Sequence, residues 1–350
     1  MARPPRREVI DPNEINVVHC INRTVRRCYL LGDDAFSGKN FDHRKIWIEE
    51  LLVHFAAHFG IDLIAYSLLS NHYHLILRNR PDVVAQWDDR EVARRWLMIC
   101  PPARCKGKPS RPTEAELDTI RRNPDKLAEI RRRLSDISWW MRLLNQRVAQ
   151  RANREEEETG RFWQDRYRAI RLLDEEALVA CMAYVELNPL RAGLTDRIEE
   201  SEHTSIKRRI EGAMARQRQA SATHRDALLA KLTLGEADTP VGPVASRSGT
   251  RCSDKGVLSM SLESYVNLLD WTARQVAPGK RGVTPQETPP VLQRLGLSQS
   301  VWLELIESFD QAFHLVAGRC DRIDAMRGHL THRRFRVRPQ ARKLLPAIAA

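Results

Sequence analysis

The spacing of apolar residues changes period twice within the first eighty positions. Ile15 to Asn22 (INVVHCIN) is rich in β-branched residues and predicts a strand. From Asp42 onward Ile46, Ile48, Leu51, Leu52, Phe55 and Phe59 recur at helical spacing, and Gly60 stands where a helix C-cap belongs. Residues 62–69 (DLIAYSLL) and 72–78 (HYHLILR) are short apolar runs split by Ser70-Asn71, which predicts an antiparallel hairpin. The order is strand, helix, strand, strand.

From Pro81 to about residue 134 the chain is charged and broken by Pro101-Pro102, Pro109 and Pro112, the pattern of an insertion with helical pieces. Helical spacing returns with Ser135 or Asp136 as cap and Ile137, Trp140, Leu144 and Val148 on one face, running to Thr159-Gly160. Phe162 to Leu173 (FWQDRYRAIRLL) predicts a strand, and Asp174-Glu175-Glu176 opens a helix that Pro189 should end near Leu187. These elements order as an α+β fold: a ferredoxin-like antiparallel sheet core with helices on one face. Residues 205–255 are polar, and helical patterns resume at 262–276 and 301–316, predicting a mostly helical C-terminal extension. The expected organisation is a core of residues 1–200 with a helical insertion at about 81–160, a linker at 201–256, a helical domain at 257–326 and a basic tail at 327–350.

Charge adds a partner to this outline. There are 57 Lys+Arg against 45 Asp+Glu, a net +12, the footprint of a polyanion binder. The tail concentrates it, with Arg327, Arg333, Arg334, Arg336, Arg338, Arg342 and Lys343 and no acidic residue from 327 to 343. No apolar run approaches the roughly 18 residues of a spanning helix, and the N-terminus lacks a signal-peptide apolar region, so no membrane partner and a cytoplasmic location are expected. Seven cysteines at scattered spacings fit reduced thiols, and the close pair Cys100 and Cys105 lacks a second pair for a zinc site. Gly32 to Asn40 (GDDAFSGKN) misses the phosphate-cradling loop pattern.

Candidate chemistry lies in two places. In a strand, alternation puts His72 and His74 on one face about 7 Å apart along the backbone, so they could hold a cation or simply be packed histidines. Tyr184 and Asn188, at i and i+4, share a helix face and could bring a phenol and a carboxamide to one site; Tyr184 alone could equally be core. A tyrosine nucleophile needs a base or nearby positive charge because few phenols ionise near pH 7, and Arg166, Arg168 and Arg191 could supply that charge or be solvated. His54 and His58 stand one helical turn apart at zinc-site spacing, but Phe55 occupies the position of the catalytic Glu, so they are expected to line the helix edge.

Three segments together resemble a known family. SNHYHLIL (70–77) resembles a PNHxHLLL segment, GRFWQDRYRAI resembles W-Q-x-R-[YF], and AYVELNPLRAG resembles Y-x-x-x-NP-x-RAG, all of the REP-associated and insertion-sequence single-tyrosine, His-hydrophobic-His (HUH) transposases. The resemblance covers about residues 14–200 without the insertion. It implies a metal-assisted nuclease and strand transferase acting on single-stranded DNA through a 5′-phosphotyrosine. In that reading Tyr184 is the nucleophile, His72, His74 and Asn188 are ligands of Mg²⁺ or Mn²⁺, and the partner is DNA with hairpin ends, with a homodimer left open. Arg23, Trp163, Arg166, Arg168 and Arg191 are the expected DNA-binding residues, Trp163 by base stacking. Tyr73 departs from the usual aliphatic between the histidines, and no catalytic role carries into the insertion or the C-terminal third. The alternative is a sequence-specific DNA-binding protein without catalytic activity; a replication initiator or relaxase would share the chemistry but differ in product.

Overall fold

Five strands form the central sheet: β1 (Val17–Arg23), β2 (Ile61–Leu68), β3 (His72–Asn79), β4 (Arg168–Leu172) and β5 (Val316–Ala317), in the spatial order β2-β3-β1-β4-β5. The first four pair antiparallel, with helix α1 (His43–His58) joining β1 to β2 and α2 (Ile137–Glu155) lying between β3 and β4. This is the ferredoxin-like arrangement expected from the element order, and β5 extends it parallel to β4. The structure, a computed structural model, describes residues 9–105, 110–218, 224–235, 242–276, 289–328 and 337–347.

Strand alternation divides the core in two. Val18, Cys20, Leu63, Tyr66, Tyr73, Leu75 and Leu77 pack under α1 and α2, against Ile48, Leu52, Phe55, Trp140, Leu144 and Val148. On the other face Ile64, Ala65, Ile76, Ile170 and Leu172 pack against α3 (Glu175–Glu186) and against two C-terminal helices, α5 (Leu262–Val276) and α6 (Gln299–Ala312). The two crossover helices share one face, and the C-terminal extension closes the opposite one. All eight residues of β2 and seven of eight in β3 are buried, so both faces of this hairpin need a cover.

Local signals set most element ends. The Asp136 side chain accepts from Ser138 N at the start of α2, and the Asp174 side chain accepts from Ala177 N at the start of α3. The insertion is helical at Pro81–Ala85, Asp89–Ile99, Glu114–Arg121 and Pro124–Leu134. Four details depart from the sequence reading. Ile46 is half exposed, so the buried stripe of α1 is narrower. The strand expected from Phe162 starts only at Arg168; before it Trp163 makes an isolated bridge to Thr24. The helix of residues 301–316 stops at Ala312, which frees Val316 to pair with β4. Finally, Asn188 does not continue α3 but opens a separate turn, Asn188–Arg191, where Pro189 sits in the first turn and needs no N–H partner.

The polar stretch after residue 200 is tied to the core. Helix α4 (Ser205–Gln217) is capped by Thr204, and its Arg209 donates to the carbonyls of Ile64 and Ala230. Buried Asp62 pairs with Arg78 at 2.8 Å and accepts from Ser253 N and Oγ, while Arg78 donates to the carbonyls of Lys255 and Gly256. Buried Glu186, whose carboxyl burial raises above the usual range, accepts from Ser205 and Tyr265, linking α3 to α4 and α5. All seven cysteines are free, and no described helix is long and apolar enough to cross a membrane.

Candidate active site

Register places one group of polar side chains on the sheet face that meets α3 and α6. Arg23 lies opposite His72, Ile21 opposite His74 and Arg168, and His19 opposite Ile76 and Ile170. Directly opposed residues of an antiparallel pair share a face, so Arg23, His72, His74, His19 and Arg168 look the same way. The His72 and His74 rings are 5.0 Å apart between centroids, and the Tyr184 ring stands edge-on to His74 at 5.5 Å. Asn188 Nδ2 reaches His74 Nε2 at 3.1 Å. The structure therefore brings together His72, His74, Tyr184 and Asn188 from β3, α3 and the turn after α3.

The hydrogen bonds define which ring nitrogens are free. Asn71 Nδ2 donates to Arg27 O, so its Oδ1 faces His72 Nδ1 at 2.6 Å. His72 is then protonated on Nδ1 and keeps a lone pair on Nε2. An amide nitrogen can only donate, so the contact from Asn188 gives His74 Nε2 the acceptor role and puts its proton on Nδ1. That proton points to His19 Nε2 at 2.9 Å. Burial, and then the Arg23 charge, push the His72 pKa down to about 4. Burial lowers His74 well below the ordinary histidine range, with His72 and His19 adding to the effect. All three imidazoles are neutral near pH 7, the form that ligates a metal.

Two Nε2 lone pairs and a carboxamide that offers oxygen when turned over suit a divalent cation whose remaining positions a phosphate could fill. Imidazole nitrogens favour a transition ion such as Mn²⁺ over Mg²⁺. Among the described residues no cluster of three His, Cys, Asp or Glu side chains converges as a metal site, and the side chain beside this histidine pair is the amide of Asn188. The rival pair is engaged elsewhere: His54 Nε2 bonds Met98 O at 2.9 Å and His58 Nδ1 bonds His54 O at 2.7 Å.

Tyr184 is buried, 6% exposed. Burial raises its phenol pKa, nearby Asp310 raises it further, and Arg191, whose guanidinium lies 5.0 Å from the ring centroid, opposes both. The Phe309 ring of α6 stacks on it, and the two nearest expected DNA-binding arginines are held by the same helix end. Arg191 donates to Glu307 O at 2.8 Å; Arg168 donates to the carbonyls of Asp310 and Phe313 and lies 3.7 Å from Asp310 Oδ2. Cations suit the carbonyl end of a helix.

The other expected contacts separate. Arg166 is exposed just before β4. Trp163 lies against Tyr73 on the opposite face of the sheet, its ring edge-on at 5.4 Å and its Nε1 donating to Asn145 O. Three residues were not singled out from sequence: His19, Phe309 and Asp310. His19 left one signal, a polar residue among the apolar Val17, Val18, Cys20 and Ile21 of its strand; the other two lie on a helix whose docking only the fold defines. In the tail, Arg327 and Arg342 pair with Asp324 and Arg338 donates to Gln311 O, while Arg333, Arg334 and Arg336 lie outside the described residues.

No protein-family model and no curated protein matches the chain. Among solved structures it is similar to that of a REP-associated tyrosine transposase bound to a REP hairpin, with 11% sequence identity and a TM-score of 0.35, over 60% of this chain and 86% of the other. A likeness of that size carries no functional argument.

Proposed function

We propose that this protein is a transposase-like nuclease and strand transferase that cuts single-stranded DNA with Tyr184. The observation that supports this reading best is the convergence of a phenol, two neutral imidazoles that each carry a lone pair on Nε2, that of His74 facing Asn188, and a carboxamide on one sheet face. Packing alone does not require that set. His72, His74 and Asn188 would hold a divalent cation, which supplies charge neutralisation and alignment of a phosphate oxygen when bound.

Tyr184 Oη attacks the phosphorus, the P–O3′ bond breaks, and the product is a 5′-phosphotyrosine with a free 3′-hydroxyl. The phenolic proton is given up as the leaving 3′-oxygen takes one, so protons balance. Attack by another 3′-hydroxyl reverses the step and needs no nucleotide cofactor, because the phosphodiester is conserved in the tyrosyl ester. Arg191 and Arg168 are placed to offset phosphate charge and favour the phenolate once they leave the carbonyls of α6.

One observation favours a second reading, DNA binding without cleavage: the phenol is buried and its pKa raised. The deciding experiment incubates the full chain and Mn²⁺ with end-labelled single-stranded hairpin oligonucleotides carrying randomised flanks, followed by denaturing electrophoresis. A covalent adduct with wild type that is absent from Tyr184→Phe supports the enzyme. Binding without adduct supports the second reading, and an equal adduct from Tyr184→Phe excludes this nucleophile.

A further inference from the structure

We propose that His19 is a positioning residue that fixes the ring orientation and tautomer of His74. This rests on the reading of His74 as a metal ligand and goes beyond it, because His19 sits on β1 and touches neither His72 nor Asn188 by hydrogen bond. Its side chain is fully buried, its ring lies nearly parallel to that of His74 with centroids 5.1 Å and planes 18° apart, and its Nε2 faces His74 Nδ1 at 2.9 Å.

The neighbours show why a histidine here needs a reason. His19 lies across from Ile76 and Ile170, and Tyr184 and Phe309 close on it edge-first at 6.1 and 6.2 Å. A leucine would satisfy such surroundings. The imidazole instead buries an Nδ1 with no hydrogen-bond partner, a defect that destabilises the fold. Only Nε2 has a use, and that use is to accept the Nδ1–H of His74.

Accepting that proton has a chemical result. It keeps the His74 lone pair on Nε2, the atom beside Asn188, and stops the ring from flipping, so both histidines of β3 present the same nitrogen. Asn71 does the same for His72 through Nδ1. The two ligands are thus held by two outer acceptors of different kinds, one on the hairpin turn and one on the neighbouring strand. His19 is not a third ligand in this arrangement, since its Nε2 is spent on His74, nor a base for Tyr184, since no hydrogen bond joins them.

The test uses the full chain in two states. In metal-free protein, histidine ¹⁵N NMR should show His74 protonated on Nδ1 in wild type and in His19→Gln, which keeps an acceptor, and a mixed or Nε2-protonated His74 in His19→Leu. Mn²⁺ titration by calorimetry should then show affinity falling 10–100-fold in His19→Leu, the usual scale for loss of an outer-shell partner, with His19→Gln within a few-fold of wild type. His19→Met, similar in volume, replaces His19→Leu if that variant does not fold by circular dichroism. Wild-type affinity and tautomer in the variants without an acceptor overturn the proposal, as does equal loss in His19→Gln. If wild type takes up no Mn²⁺, the metal reading fails, while the tautomer spectra still decide the role of His19.

Discussion

The ring of Phe309 is stacked on that of Tyr184, with centroids 5.7 Å apart and planes 30° from parallel. A residue of the C-terminal helix α6 thus covers the hydroxyl-bearing ring on the core helix α3, and under the proposed function that cover must move before cleavage. Tetranitromethane should nitrate Tyr29, which is 45% exposed, well before Tyr184. Under the proposed function, Phe309→Leu, which keeps most of the apolar volume and removes the stacked ring, should speed formation of the DNA adduct several-fold. Peptide mass mapping and adduct kinetics check both; early nitration of Tyr184 in wild type would mean that the ring is accessible.

Asp62 is the counter-ion of a buried arginine pair, 2.8 Å from Arg78 and 3.6 Å from Arg80. Asp62→Ala leaves the Arg78 guanidinium without its carboxylate, while Arg80 keeps Asp82 at 2.7 Å, and urea unfolding should show a loss of about 3–5 kcal/mol. Hydrogen exchange in residues 242–256 should rise at the same time, because Ser253 loses its acceptor. A change under 1 kcal/mol with unaltered exchange would show that the pairing is dispensable.

Stability should fall with acid in a defined window. Burial holds His58 and His72 at about 4 and His19 at about 3, against 6.5 unfolded. Between about pH 6.5 and 4 the unfolded chain binds protons that the folded chain does not, so stability is full above that window and lost as pH drops through it. Each histidine contributes up to about 1.4 kcal/mol per pH unit. In chelator-treated protein, His58→Gln should flatten the decline of Tm below pH 6.5 and leave Tm above pH 7 little changed. A Tm that stays level from pH 7 to 4.5 would contradict the buried neutral histidines.

The basic tail calls for charge removal rather than truncation. Deleting residues 327–350 also removes Ala341, Leu344 and Leu345, which are buried in the core with α6. Replacing Arg333, Arg334 and Arg336 with Gln leaves those residues in place. If the three arginines contact single-stranded DNA, the slope of log affinity against log salt should flatten by up to about 2, at about 0.7 per phosphate contact. Affinities measured from low to moderate salt decide it; an unchanged slope means that they do not touch DNA.

The sequence by itself determined the order of the four antiparallel strands and the helices between them, though not the fifth strand, Val316–Ala317. Period-2 runs, helical spacing, Asp136 and Asp174 at helix starts and Pro189 after Leu187 are local signals, and local backbone preference suffices to read them. It also carried His72 and His74 on one strand face, because alternation is a property of the strand alone. Other features depended on partners distant in the chain. How far the second sheet face is closed beyond α3 was settled by α5 and α6, which begin at Leu262 and Gln299, far along the chain from the end of β4 at Leu172. His19 gains meaning only because strand pairing sets it diagonally beside His74, and Phe309 only because α6 lands on Tyr184. Spacing specifies which face a side chain takes, but burial, charge partners and protonation follow from what packs against that face, and that is a sum over the whole tertiary structure.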